Sequence, residues 1–465
     1  MTTPRARNEN LRLAIEQAGL TYTQLATEVR RIAAEAGDPL RTNQSAVSHW
    51  VAGRPPSPTT AAYIAEVLSR RLGRHLTPDD FGWQGPAQSE IGSDALLGLG
   101  IGPDPVDIVR RIGEADINRR KILTGAAYCV AAAALPLGLA TAAEAQDRGA
   151  RARGRRVGAS DIATVRSMLE AFTAIDERQG GQHGRSAVVQ YLRSDVADIT
   201  RAARDADRVD ALTAAAAVTY LCGWKAYDAG EHGLSQRYYL QSFGLTREAE
   251  NPLQSAWLLR IMAHNGLDLR QPAHTLALAE NALSLATGRA GPGLLSLFVI
   301  CHARALGRAG RGAEAAAEIR RAQDLAMRGE AEAEELPFWA ALSGAPRAGV
   351  ASHTAKTFRS LRDHANAERQ YAAAARGYGR PADGKSRITA LSLAWQGEEQ
   401  AKQGHLEQAC GTWDKALGLF DGVYSTRAAK QVAGIRRQLG VFERRGVVAA
   451  AQLDERARTW QLAHA

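Results

Sequence analysis

The chain has 465 residues, 45% of them hydrophobic and 23% charged, a balance that excludes a disordered polymer and allows a sizeable core or several. Its 58 Lys and Arg against 49 Asp and Glu leave a net charge of +9, spread along the chain rather than gathered in one block, so charge suits phosphate backbones without locating a site for them. The cysteines Cys129, Cys222, Cys301 and Cys410 never form a C-x-x-C pair, which excludes the usual zinc spacings and points to reduced thiols.

Residues 1–10 are polar and carry no secretory leader pattern, so a cytoplasmic protein is expected. Leu11, Leu13, Ile15 and Ala18 before Gly19 predict a first helix with a glycine stop. Thr21 or Thr23 can cap a second, whose Leu25, Ala26, Val29 and Ile32 recur at helical spacing. The stretch from Glu35 to Arg41, with Gly37, Asp38 and Pro39, must end it. A third helix begins near Thr42 and turns Ala46, Val47 and Trp50 inward, which leaves Gln44, Ser45, Ser48 and His49 outside. Gly53 ends it, Arg54 to Pro58 form a rigid basic connection, and Thr60 to Leu72 repeat helical spacing.

This ordered set resembles the phage-repressor-like (XRE) helix-turn-helix family, through Gln24-Leu25-Ala26, the S-x-V-S-x-W of Ser45 to Trp50, and Gly53-Arg54 with the prolines that follow. The resemblance implies binding to double-stranded DNA, with Thr42, Asn43, Gln44, Ser45, Ser48, His49 and Arg54 at the interface. It implies that Gln44 takes adenine in the major groove, that His49 or Ser48 meets a base edge or phosphate, and that Gln24 meets a phosphate. The sequence departs from the family in the extra residues Glu35 to Arg41, where a tight turn is usual. The competing reading is a small helical bundle for protein contact.

Glycine, proline and acidic residues from Trp83 to about Asp107 read as a linker. Gly98 to Gly102 follow no strand and have no acidic ribose partner, which argues against a nucleotide loop. Arg119 and Arg120 precede an uncharged run over 122–143 that is long enough to span a bilayer. Its alanine, glycine and Pro136 content and the arginines on both flanks favour a buried or interfacial helix, with a membrane-associated one the disfavoured alternative.

From Asp161 onward the pattern is helical and periodic. Small, bulky and small residues recur in Ser235/Tyr239/Ser242, Thr275/Ala279/Ala282, Ala315/Ile319/Ala322, Ala367/Tyr371/Ala374 and Ala409/Trp413/Ala416. Twelve residues before each stands Gly223, Ala263, Ala303, Ala355 or Gly397, with offsets of 40, 40, 52 and 42, the long one holding an extra segment within Gly329 to Val350. Each unit reads as a helical hairpin and resembles the tetratricopeptide (TPR) repeat, although the period exceeds the usual 34 or so residues; a non-repetitive bundle is the alternative. If the units stack, the first helices line a concave groove of Tyr220, Trp224, Tyr227, Arg260, His264, Arg304, Lys356 and Arg359, suited to a peptide or protein ligand whose carboxylate meets arginine. The alternative places those aromatics in the core and those arginines in solvent. Gly180 to Arg185 form a glycine-rich turn able to hold an anion or to act as a plain loop.

The expected fold is therefore all-α: a helix-turn-helix bundle over 1–84, a linker over 85–160 with the apolar helix 122–143, and a TPR-like helical repeat array over 161–465 for dimerisation and sensing. No catalytic motif, metal cluster or cofactor loop is present, so no enzyme and no cofactor are expected. The leading expectation is a bacterial transcriptional regulator acting as a homodimer; the rival is a protein-interaction scaffold, docked or membrane-placed through its N-terminal parts.

Overall fold

A computed structural model of the chain describes residues 7–35, 40–72, 76–83, 97–102, 104–118, 128–133, 135–137, 157–271, 274–379, 386–444 and 447–464, and the protein is all-α, with no strand among them.

The N-terminal bundle comprises α1 (Glu9–Gln17), α2 (Tyr22–Glu35), α3 (Gln44–Val51) and α4 (Pro58–Leu72). Local chemistry sets its boundaries. The Asn8 side chain accepts from Leu11 N at 3.0 Å to start α1. Thr21 and Gln24 exchange side-chain and backbone bonds of 3.2 and 2.8 Å to start α2, a capping box that satisfies two orphan donors. Asn43 caps α3 by accepting from Ala46 N at 3.0 Å, and Gly53, at φ +94°, lets the chain leave it. Leu11, Ile15, Leu25, Val29, Val47, Trp50, Ile64 and Leu68 form the core, closed by Phe81 and Trp83, whose rings are 5.3 Å apart. Asn8 donates to Phe81 O at 2.8 Å and ties the two ends of the bundle together.

Part of the expected linker is structural. Helix α5 (Pro105–Ile117) buries Val106, Val109 and Ile112 in the same core as the repeats. Residues 97–100 lie against a repeat helix, where Gln241 Nε2 donates to Gly98 O (3.0 Å) and Gly100 O (2.8 Å). The first hairpin of an array needs its outer face covered, and these segments cover it. The expected apolar helix 122–143 falls largely outside the described residues; within it lie the short α6 (Val130–Ala133) and residues 135–137. No helix among the described residues is long and apolar enough to cross a membrane.

The array is led by α7 (Ala159–Gln179) and by α8 (Arg185–Tyr191), which runs through a π-helical turn, Leu192–Val196, into α9 (Ala197–Ala202). Six hairpins follow: α10 (Asp205–Asp228) with α11 (His232–Glu248), α12 (Pro252–Asp268) with α13 (Thr275–Ala286), α14 (Pro292–Arg308) with α15 (Gly312–Ala331), α16 (Pro346–Ser360) with α17 (His364–Tyr378), α18 (Ser386–Lys402) with α19 (Leu406–Phe420), and α20 (Thr426–Glu443) with α21 (Val448–Ala463). All five sequence triplets sit on second helices, and the small residue before each sits on the first. The packing is direct: a Cβ on Gly223 would stand 2.6 Å from the Tyr239 ring, and one on Gly397 would stand 2.4 Å from Trp413 Nε1. The extra segment before α16 folds into a 3₁₀ turn, Phe338–Ser343, that sets Trp339 5.9 Å from Trp257. The sixth hairpin eludes the pattern because Asp454, paired with Arg436 at 2.8 Å, stands where a bulky apolar residue would mark it.

The array curls until its ends meet. Tyr424 N donates to Gln179 O at 2.7 Å, and Gln182 Nε2 donates to Thr426 Oγ1 at 2.9 Å. Beneath them Arg387 of α18 reaches Asp176 of α7 at 2.7 Å and Asp228 of α10 at 3.3 Å. The glycine-rich turn is part of this seam and not an anion loop. A Cβ on Gly180 would lie 2.3 Å from Tyr424 O, one on Gly181 would lie 2.6 Å from Asp228 Cβ, and Arg185 is taken by Asp116 and Glu231.

Candidate functional site

Two surfaces carry chemistry. The first is the outer face of α3, where Asn43, Gln44, Ser45, Ser48 and His49 are exposed while Val47, Trp50 and Val51 anchor the other side. Arg41 and Arg54 are exposed at its two ends. Gln24 is exposed at the start of α2, and its carbonyl oxygen is engaged in the capping box. Thr23 Oγ1 meets Gln44 Oε1 at 3.2 Å and sets the position of that amide. Thr42 is the exception among the residues expected there: it is 8% exposed, because the residue before a helix N-cap enters against the core.

The second is an open cavity of about 610 Å³ lined mainly by the curled first helices. Arg304, Lys356 and Arg359, all expected in the groove, line it. Tyr220 and Arg260 do not reach it: they are 3% and 4% exposed, and Arg260 stacks on Trp257 and donates to Leu297 O at 2.8 Å. They sit one turn too deep, since the curl points the positions just after each small residue inward and turns the preceding ones into the hairpin core. Trp224 and Tyr227 lie tilted against each other at 5.3 Å under the Arg427 guanidinium, and neither they nor His264 are among the residues that line the cavity.

The hub of the cavity is Asp268. It accepts from Tyr227 Oη, from Arg304 and from His264 Nε2 (3.0 Å), with Lys356 Nζ at 3.6 Å. Burial would push its carboxyl upward, but the cations around it hold it well below the ordinary carboxylate value. Desolvation lowers His264 to about 3 and Lys356 to about 7, and it holds His353, 4.9 Å from His264, well below an ordinary imidazole. Beside the lining cations, Glu399 pairs with Lys402 (2.7 Å), His364 (2.6 Å) and Arg359 (3.2 Å), while Glu398 takes Arg359 and Gln431.

Sequence reasoning missed Arg270, Arg308, Arg362, His364, Tyr371, Trp395, Lys402 and Arg427, which also line this space. A repeat-level signal existed for two of them. The turn after the first helix is Gly230, Gly310 and Gly404 in the first, third and fifth hairpins, each with positive φ; in the second and fourth it is Arg270 (φ +56°) and Arg362 (φ +61°). Arginine in a left-handed turn position costs on the order of 1 kcal/mol against glycine. Both side chains face the cavity.

No group of metal-ligating side chains occurs among the described residues. The model of a family described as the SP15 N-terminal domain matches residues 11–84, which is the N-terminal bundle. No curated protein matches the chain.

Proposed function

We propose that the protein is a sequence-specific DNA-binding transcriptional regulator that docks α3 in the major groove as a homodimer and receives an anionic signal in the cavity of its repeat array. The observation that carries this is the two-sidedness of α3. Gln44, Ser48 and His49 project from a short helix whose opposite face is locked by Val47 and Trp50, and arginines flank both ends. That arrangement puts an amide able to pair bidentately with adenine on a rigid support, with cations placed for the backbone.

Hydrogen bonds that join the bundle to the array support this reading. Arg70 of α4 donates to Tyr128 O at 2.6 Å, and the next residue, Cys129, exchanges two backbone bonds of 2.7 and 2.6 Å with the Gln236 amide of α11. A ligand that favours one arrangement of the array thereby biases the stance of the DNA-binding bundle, by no more than its differential affinity for the two arrangements.

Selection of genomic fragments by the purified full-length protein, followed by gel shifts on the enriched sequence, tests the reading. A preferred sequence with two half-sites, spaced by one helical turn of roughly 34 Å, is the expected result. Equal binding to every fragment would overturn it.

A further inference from the structure

We propose that the central cavity binds a small molecule carrying at least two phosphoryl groups, held by Arg304 and Lys356 at the floor and by Arg270, Arg308 and Arg362 at the rim. The inference rests on the reading of the cavity as the signal site, and it names the chemistry of the signal.

Charge points first to such a ligand. Eight Arg and Lys side chains line the cavity, and the carboxylates paired with them are Asp228, Asp268, Glu398 and Glu399, which leaves three positive charges unbalanced and a fourth when Lys356 is protonated. Among the described residues, Arg270, Arg308 and Arg362 have no carboxylate within ion-pair distance. A peptide C-terminus brings one negative charge and two oxygens, too little for such a surplus. Two phosphoryl groups bring three or four charges and enough oxygens to engage several guanidinium forks at once.

An open donor points the same way. Arg304, which lines the cavity, is 8% exposed; its Nη2 is committed to Asp268, and its Nη1 is buried without a hydrogen-bond partner. A buried guanidinium nitrogen left unmatched costs stability, and an anion supplies the missing acceptor. The pair of left-handed turns adds to this: Arg270 and Arg362 occupy positions where the sister hairpins use glycine, so the rim carries cations at a backbone cost. At about 610 Å³ the space fits a nucleotide-sized molecule.

Lys356 supplies a readout that loose surface binding would not give. It faces Asp268 and His264 of α12, Arg304 of α14, Arg427 of α20 and, on its own helix, His353, with its ammonium 5.2 Å from the Trp395 ring. With the cavity empty it loses its proton at about 7, and an anion alongside raises that value. Binding at pH 8 therefore takes up protons.

The test is calorimetric titration of the full-length protein, without DNA, with inorganic pyrophosphate, ATP, orthophosphate and an N-acetylated peptide bearing a free carboxylate. Saturable binding of pyrophosphate and ATP is expected, at least about tenfold tighter than orthophosphate, with proton uptake read on ATP, whose phosphates are already largely ionised at pH 8, as a dependence of the heat on buffer ionisation enthalpy. Arg308→Gln with Arg362→Gln, both exposed and therefore compatible with folding, weakens it by about tenfold or more; Lys356→Met abolishes the proton uptake. The inference is overturned if neither phosphate compound binds, if orthophosphate binds equally well, if the peptide binds instead, or if the rim variants bind like the parent. Because no DNA is present, failure of the DNA-binding reading leaves this result intact, and the reverse also holds.

Discussion

Lys356 shows how a single residue can carry a functional reading that its immediate pairing would hide. Its partner Asp268 is shared with Arg304, His264 and Tyr227, so the ammonium is desolvated and incompletely balanced. In the unfolded chain the amine keeps its proton to its ordinary value of 10.5, but in the folded protein only to about 7. Between those values the unfolded state holds more protons, so this residue's contribution to stability rises as pH increases from 7 towards 10.5. Lys356→Met removes the buried cation and is expected to raise the melting temperature of the unliganded protein by ~2 °C at pH 7. Thermal unfolding monitored at pH 7 and pH 10 checks both the sign and the narrowing of the difference. On the outer face of α3, proposed to meet DNA, Gln44→Ala with His49→Ala is expected to cost roughly 1–3 kcal/mol for each base edge left unread and to leave the melting temperature unchanged, because both side chains are exposed. Competition gel shifts against non-specific DNA would read that cost.

Among the elements, the hairpins separate glycines that packing demands from those it does not. A methyl on Gly397 collides with Trp413, whereas one on Gly411, in the exposed face of α19, meets nothing. Gly397→Ala should therefore destabilise by about 1–3 kcal/mol and Gly411→Ala should stabilise by about 0.5–1 kcal/mol, as measured by urea unfolding. The seam between the ends of the array is a second device of this kind. Arg387 is 1% exposed and serves Asp176, Glu177 and Asp228 together, so Arg387→Met leaves three buried carboxylates to Lys225 and Arg427. A destabilisation of about 3–5 kcal/mol is expected, with earlier proteolysis at the seam. The repeat hairpins are legible in the sequence because Tyr239 and Trp413 must face Gly223 and Gly397, a local steric demand repeated along the chain. The sixth hairpin is not, because Asp454 solves the same packing position with an ion pair, which hydrophobic pattern does not register.

Over the full length of the array, the curl converts residues from five different hairpins into one cavity. Arg427 of α20 comes to lie over Trp224 and Tyr227 of α10, about two hundred residues earlier in the chain. The bundle and the array meet through Arg70, the Tyr128–Cys129 segment and Gln236. Breaking that joint with Gln236→Ala is expected to leave DNA affinity in place but to uncouple it from the presence of pyrophosphate; binding isotherms to the selected DNA, with and without pyrophosphate, would show the coupling free energy fall towards zero.

Local periodicity and steric fit were enough to specify the all-α class, the four helices of the bundle, the outward set of α3 from Gln44 to His49, and five hairpins, four of them with a bulky residue set between small ones. Long-range packing settled the rest: which side of each first helix faces inward, that Tyr220 and Arg260 are core, that Thr42 is covered, and that residues 97–100 and α5 pack on the array instead of linking it. Periodicity names a helix face without saying what closes over it. That depends on curvature accumulated across six hairpins and on the pairing of Arg387 with Asp176, neither of which leaves a mark at short sequence separation.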